Sequence, residues 1–144
     1  MADIPDLMKM NQAQLDDLFK QSPAGPIPNG EAQGTAIIAP GTQLEAEAAK
    51  LIHLLAWQGK VFDAAAGELR NKILPVGMQA IIAKVYPGDS WYDGKGCIVL
   101  DYSQTSLIAH WIRDEIRLVG EGVYLGIVYW SRKKLINFAL KFPA

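Results

Sequence analysis

An alternating apolar and polar stretch over residues 106–130 constrains the fold most. It reads SLIAHWIRDEIRLVGEGVYLGIVYW, two strand-like runs joined by a tight Gly120-Glu121-Gly122 turn, which predicts a β-hairpin. Successive side chains of a strand point to opposite faces. One face of the first strand therefore carries His110, Ile112, Asp114, Ile116 and Leu118. Its three aliphatic residues predict burial, which places a carboxylate and an imidazole among core positions.

The opposite face of the same strand is charged. It carries Trp111, Arg113, Glu115, Arg117 and Val119. A row of alternating charges is typical of a solvated ladder of cross-strand ion pairs. The alternative is a register shifted by one residue, which would exchange the two faces and turn the arginines inward.

Period-two patterns and frequent turn signals continue through most of the chain. They predict further strands at Thr35–Ala39 (an edge strand), Trp57–Asp63, Glu68–Leu74, Met78–Tyr86, Cys97–Tyr102 and Leu135–Phe142, with a turn at Pro87–Ser90. A flat meander of these strands would leave two exposed edges, so closure is favoured. The predicted fold class is α+β dominated by β, a small antiparallel up-and-down barrel of the calycin or lipocalin-like kind.

Two helices complete the prediction. Helical spacing of apolar residues predicts an N-terminal helix from Asp6 to Gln21, followed by a Pro- and Gly-rich strap up to Gly34. Thr42 and Glu45 fit a capping box, and the helix that begins there, at about 43–56, is expected to close one end of the barrel. The predicted organisation is therefore a helix and strap over 1–34 and one barrel domain over 35–144.

Composition excludes several classes of function. A net charge of -1 over 144 residues provides no basic stripe for nucleic acid, and the single Cys97 excludes an internal disulfide and a cysteine-rich metal site. No P-loop or dinucleotide fingerprint is present, so no cofactor and no metal are predicted. No apolar run reaches the roughly 18 residues of a transmembrane helix, and a signal peptide pattern is missing, which predicts a cytoplasmic protein.

Three short motifs occur in a familiar order. Trp57-Gln-Gly-Lys60-Val-Phe62 matches a W-x-G-K-x-F strand, Asp114-Glu-Ile-Arg117 matches a D-x-[F/I]-R strand, and Leu125-Gly126 follows at hairpin spacing. Together they resemble the small calycin-like (lipocalin-like) domains of the GXWXG type, a family with little assigned function. The resemblance implies a small barrel with an apolar interior, in which the arginine matching Arg117 is a recurring part of the pattern. It implies no particular reaction.

Asp114 and His110 are the candidate catalytic residues. Four residues apart on one strand, they would be separated by roughly 13 Å, too far for a direct hydrogen bond. A buried carboxylate needs a partner or a raised pKa. Candidate partners on other strands are Lys60, Lys84, Tyr102, Tyr124 and Tyr129. Two roles for Asp114 stay open: it pins the barrel by pairing with a lysine, or it orients a ligand.

The predicted function is binding of a small hydrophobic or amphipathic molecule inside the barrel, with an acidic, fatty-acid-like or aromatic ligand as variants. An inward Arg117 would then clamp a ligand carboxylate. The alternative is a cofactor-free lyase or isomerase that uses acid–base residues in the same pocket. A homodimer is an assembly that this architecture allows. The candidate ligand-binding residues are Asp114, His110, Tyr102, Arg117, Tyr124, Tyr129, Lys60 and Trp57.

Overall fold

The computed structural model describes residues 2–38, 46, 49, 59–71, 81–105 and 110–143. Two short helices precede eight strands in these segments. The helices are α1 (Ile4–Met8) and α2 (Gln12–Gln21). The strands are β1 (Gly30–Ile37), β2 (Lys60–Asp63), β3 (Glu68–Asn71), β4 (Ile81–Asp89), β5 (Gly96–Asp101), β6 (Ile112–Gly120), β7 (Val123–Trp130) and β8 (Lys133–Lys141).

The eight strands form a closed barrel in sequence order. Each strand pairs antiparallel with the next, and β8 pairs antiparallel with β1, where Gly34 lies opposite Leu140. Closure removes the two edges that an open meander would expose. The predicted small, β-dominated, up-and-down barrel is therefore confirmed. The predicted hairpin is also confirmed, as β6 and β7 joined by a two-residue connection.

Three elements differ most from the prediction. β1 begins at Gly30 and is hydrogen-bonded on both sides, so the predicted edge strand at Thr35–Ala39 was wrong in position and the strap is shorter than expected. β4 continues through Pro87 and Gly88, which the sequence had assigned to a turn. The single N-terminal helix is two helices, because Asn11 caps a new one by accepting a hydrogen bond from the Gln14 backbone N–H. The predicted barrel-closing helix at about 43–56 falls outside the described residues, apart from positions 46 and 49.

The barrel interior is a layered apolar core. Its buried aliphatic and aromatic residues include Phe62, Leu69, Leu100, Ile116, Phe138 and Leu140. The predicted inward face of β6 is confirmed for Ile112, Asp114 and Ile116, which are all buried, and Leu118 packs partly buried against the same core. On β7 the inward position at Gly126 lies against the Phe138 ring, and a Cβ there would overlap that ring. Glycine is thus required by packing at this point of the barrel.

The strap between α2 and β1 covers one end of the barrel. Ala24 and Ile27 pack against the interior core, the Leu118 N–H donates to the Pro23 carbonyl at 3.0 Å, and the Tyr124 hydroxyl donates to the Pro26 carbonyl at 2.7 Å. These contacts lie where β6 ends and β7 begins, so this end of the interior is closed by the chain itself.

The two helices lie on the outer surface of the barrel. Leu7, Leu15 and Phe19 are fully buried there, in a second apolar cluster with outward-facing residues of β6, β7 and β8. Among the described residues, no helix has the length and apolarity needed to cross a membrane.

Candidate functional site

Four polar side chains meet inside the otherwise apolar barrel. Lys60, Asn71, Tyr102 and Asp114 come from β2, β3, the end of β5 and β6, and at most 3% of each residue is exposed. Lys60 and Asn71 are direct partners across β2 and β3. Tyr102 lies two residues beyond Leu100, the residue that pairs with Asp114, so the two are diagonal neighbours on one face. We call these four residues the interior polar cluster.

Hydrogen bonds fix the orientation of three members of the cluster. The Lys60 ammonium donates to Asn71 Oδ1 and, at 3.3 Å, to the Tyr102 hydroxyl oxygen. Because lysine only donates, the Asn71 oxygen must face Lys60, which turns the Asn71 amide nitrogen towards Tyr102. That nitrogen donates to the Tyr102 oxygen at 2.9 Å. The Tyr102 oxygen therefore receives two donors.

Asp114 is the least satisfied member of the cluster. Its Oδ1 atom is buried and accepts no hydrogen bond from any described residue. Burial raises the pKa of the Asp114 carboxyl from 3.8 to about 7; the positive charge of Lys60 offsets part of this rise, and Glu115 adds slightly to it. An unpaired buried carboxylate oxygen is costly, and such atoms call for a specific explanation in a folded protein.

The other ionisable members of the cluster are shifted by burial as well. Removal from water lowers the pKa of Lys60 from 10.5 to about 8, and the nearby Asp114 charge opposes that fall. Burial, together with Asp114, raises the pKa of Tyr102 well above its usual value of 10, so this phenol keeps its proton. Asp114 and Lys60 thus have pKa values near neutral pH, and Tyr102 keeps its hydroxyl hydrogen. Together these groups can bind polar atoms or exchange protons.

Three other predicted site residues are not members of the interior polar cluster. His110 is half-buried in the turn before β6, where its ring centroid lies 4.2 Å from that of Trp111. Tyr124 faces inward at the end of the barrel that the strap covers, and its hydroxyl donates a hydrogen bond to the Pro26 carbonyl. Tyr129 faces outward, edge-on to Trp91, in the cluster beneath the helices. Trp57 falls outside the described residues, and Lys84 is exposed on the outer surface.

The expected solvated ladder on β6 was wrong. Arg117 is only 1% exposed and Glu115 is fully buried. Arg117 lies outside the barrel, beneath α2, where it pairs with Asp93 at 2.7 Å and donates to the Phe19 carbonyl at 2.9 Å. Glu115 accepts hydrogen bonds from the Ser90 hydroxyl and the Trp91 N–H. The face is outward as predicted, but a helix and the β4–β5 turn cover it, so Arg117 clamps the chain's own Asp93.

Asn71 is the residue of the cluster that the sequence interpretation missed. A signal was present, because alternation from the apolar Leu69 places Asn71 on the same inward face. It was overlooked because a lone asparagine near the end of a strand ordinarily suggests a turn. Within the described part of the chain, no group of His, Cys, Asp and Glu side chains could hold a metal ion.

Comparison with known proteins supports the fold. No family model matches the chain, and no curated protein matches it either. Among solved structures, the chain is similar to a protein from Thermomonospora curvata, with a TM-score of 0.64 and 16% sequence identity. The alignment covers 94% of this chain and 89% of that one. At this identity the likeness concerns the fold alone, a closed, eight-stranded, calycin-like barrel.

Proposed function

We propose that the barrel binds a small hydrophobic or amphipathic molecule whose polar end meets the interior polar cluster. The observation that carries the proposal is the buried Asp114 Oδ1 atom, which has no hydrogen-bond partner among the described residues. Leaving a buried carboxylate oxygen without a hydrogen bond costs the protein several kcal/mol of stability. A bound molecule that donates a hydrogen bond to Asp114 removes this cost, which gives the ligand a source of affinity and a fixed orientation.

The surroundings of the cluster suit an apolar ligand body. Ligand sites are typically concave and apolar, with a few polar groups that fix orientation. The inner faces of the strands are aliphatic and aromatic, and β1 contributes only the small side chains of Ala32 and Ala36 to the buried core. The strap closes the far end of the barrel.

Native mass spectrometry of the purified protein tests this proposal. We expect a bound small molecule that dissociates on denaturation and reappears when an organic extract of the producing cells is added. Asp114→Ala should weaken its retention, while Asp17→Ala, which removes an exposed carboxylate on α2, should not. A protein that neither retains nor takes up any small molecule would contradict the proposal.

Acid–base catalysis is the second candidate, and the shifted ionisations of Asp114 and Lys60 favour it. A general acid or base works best with a pKa near the working pH, and burial brings both groups towards neutrality. A lyase or isomerase would convert the molecule that native mass spectrometry identifies. Catalysis predicts that Asp114→Asn retains binding but abolishes conversion. A ligand recovered unchanged after prolonged incubation with the wild-type protein would exclude it.

We also propose that the chain is of the GXWXG type. Lys60 and Phe62 lie inside the barrel on β2, Asp114 lies inside on β6, and Gly126 packs on the Phe138 ring on β7. These four motif positions are buried, as expected for a family signature. A cytoplasmic location and a homodimer stay predictions; light scattering on the purified protein would test the second.

A further inference from the structure

We propose that the ligand presents a hydroxyl group to the interior polar cluster, accepting a hydrogen bond from Tyr102 and donating one to Asp114. This inference rests on the proposed binding function and narrows it to one chemical class, an apolar alcohol or phenol. It differs from the acidic, fatty-acid-like ligand that the sequence had left open.

The donor half of the site is the hydroxyl group of Tyr102. Lys60 Nζ and Asn71 Nδ2 both donate to the Tyr102 oxygen, at 3.3 and 2.9 Å. The direction of both bonds is fixed, because lysine has no acceptor and the Asn71 oxygen is turned towards it. With its oxygen occupied as an acceptor, Tyr102 has its own hydroxyl hydrogen left to donate. Burial keeps that hydrogen in place, since the pKa of Tyr102 is raised well above 10.

The acceptor half of the site is Asp114. Its Oδ1 atom is buried and receives no hydrogen bond from the described residues. Asp114 and Tyr102 are diagonal neighbours on β6 and after β5, and their charges influence each other. Diagonal neighbours are roughly 7–8 Å apart at the backbone, a spacing that one small group between the two side chains can bridge.

A hydroxyl satisfies both halves at once, because it carries one donor and free acceptor lone pairs. A carboxylate only accepts, so it would leave Asp114 unpaired and bring a second negative charge towards it. An ammonium group only donates, so it would leave the Tyr102 hydrogen without an acceptor. An ether accepts but cannot donate. The cluster therefore favours an alcohol or phenol over the matched acid, amine and ether.

Calorimetric titration with matched straight-chain probes tests this inference at pH 7.5, above the pKa of about 7 at which Asp114 loses its proton. Nonanol, methyl octyl ether, nonanoate and nonylamine share a chain of similar length and differ in the polar end. We expect nonanol to bind about ten- to a hundredfold more tightly than the ether, the range that hydrogen bonds involving a charged partner typically provide. Tyr102→Phe should weaken the binding of nonanol and of the ether alike, because both can accept its hydrogen bond, whereas Asp114→Ala should remove most of this preference. Tyr129→Phe, which removes a buried hydroxyl outside the barrel that is also unpartnered among the described residues, should leave it intact.

The outcomes separate this inference from the proposed function. Equal binding of alcohol and ether, or tighter binding of the acid or amine, overturns the hydroxyl inference while binding in the barrel stands. A preference for nonanol over the ether that survives in folded Asp114→Ala protein also overturns it, because the hydroxyl would then donate elsewhere. Nonanol binding that is unchanged in folded Tyr102→Phe protein overturns it as well. If no probe binds, the molecule found by native mass spectrometry decides: a hydroxyl-free ligand contradicts the inference, and no ligand at all contradicts the proposed function itself. Circular dichroism spectra matching the wild type establish that each variant is folded.

Discussion

Replacing Asp114 by asparagine is expected to change the way stability depends on pH. The folded protein holds a proton on Asp114 up to a pKa of about 7, whereas the unfolded chain releases it at the ordinary value of 3.8. Between these values the folded state binds more protons than the unfolded state. The contribution of this group is therefore fully present below about pH 4 and is lost as the pH rises towards 7.

The size of the effect follows from the two pKa values. A rise from 3.8 to about 7, at about 1.4 kcal/mol for each pH unit, corresponds to about 4 kcal/mol. The asparagine side chain does not titrate, so the stability of the variant does not fall in this way as the pH rises. Lys60 adds to the same trend, because without the Asp114 charge its pKa falls further and the folded variant releases the Lys60 proton at a lower pH. The free energy of unfolding of Asp114→Asn should thus rise relative to the wild type as the pH rises, by up to about 4 kcal/mol.

Urea denaturation followed by tryptophan fluorescence at a series of pH values measures this difference directly. Asp17→Asn, which neutralises an exposed carboxylate on α2, is the matched control for the loss of one negative charge. Wild-type and Asp114→Asn curves that run parallel from pH 4 to pH 7 would refute the reasoning. A growing advantage for the wild type would refute it as well, and would show that Asp114 pins the barrel through a strong ion pair with Lys60.

Three further predictions concern the frame of the barrel. Gly126→Ala should lower the free energy of unfolding by roughly 1–3 kcal/mol, because the new methyl group overlaps the Phe138 ring; chemical denaturation measures it, and unchanged stability would contradict the packing. Arg117→Met should cost roughly 3–5 kcal/mol in the same assay, because it leaves the carboxylate of Asp93 without its partner; a loss below about 1 kcal/mol would contradict the clamp. Burial raises the pKa of the Cys97 thiol to about 12, so a thiol reagent should modify it only after unfolding, and rapid labelling at neutral pH would contradict this.

Much of the fold was predictable because inward-facing apolar residues alternate with outward-facing residues along the barrel strands. On β8, Ile136, Phe138 and Leu140 alternate with outward residues, and with Phe142 just beyond the strand they all enter the core, as the pattern indicates. β1 was located poorly for a physical reason. Its inner positions are small, and Gly30 and Gly34 have the composition of a linker, so its strand identity comes from pairing with β2 and β8.

The site was predictable in part. Alternation placed Asp114 inside, and its predicted partners Lys60 and Tyr102 are members of the interior polar cluster. The burial of Arg117 could not be predicted from the sequence of β6, because an outward-facing arginine shows the same pattern whether water or a helix covers it. The cover comes from Phe19, about a hundred residues earlier in the chain, and only the folded structure brings the two together.

The contrast between Arg117 and Asp114 bears on which of the two buried charges is available for function. Arg117 has the Asp93 carboxylate and three backbone carbonyls around its guanidinium, so its hydrogen-bonding capacity is used within the protein. Its pKa is raised by Asp93, which is the sign of a stabilised charge. Asp114 shows the opposite shift, with an oxygen that the described residues leave unpaired. Because the hydrogen bonds around Arg117 are completed within the protein and those around Asp114 are not, the ligand experiments belong at Asp114.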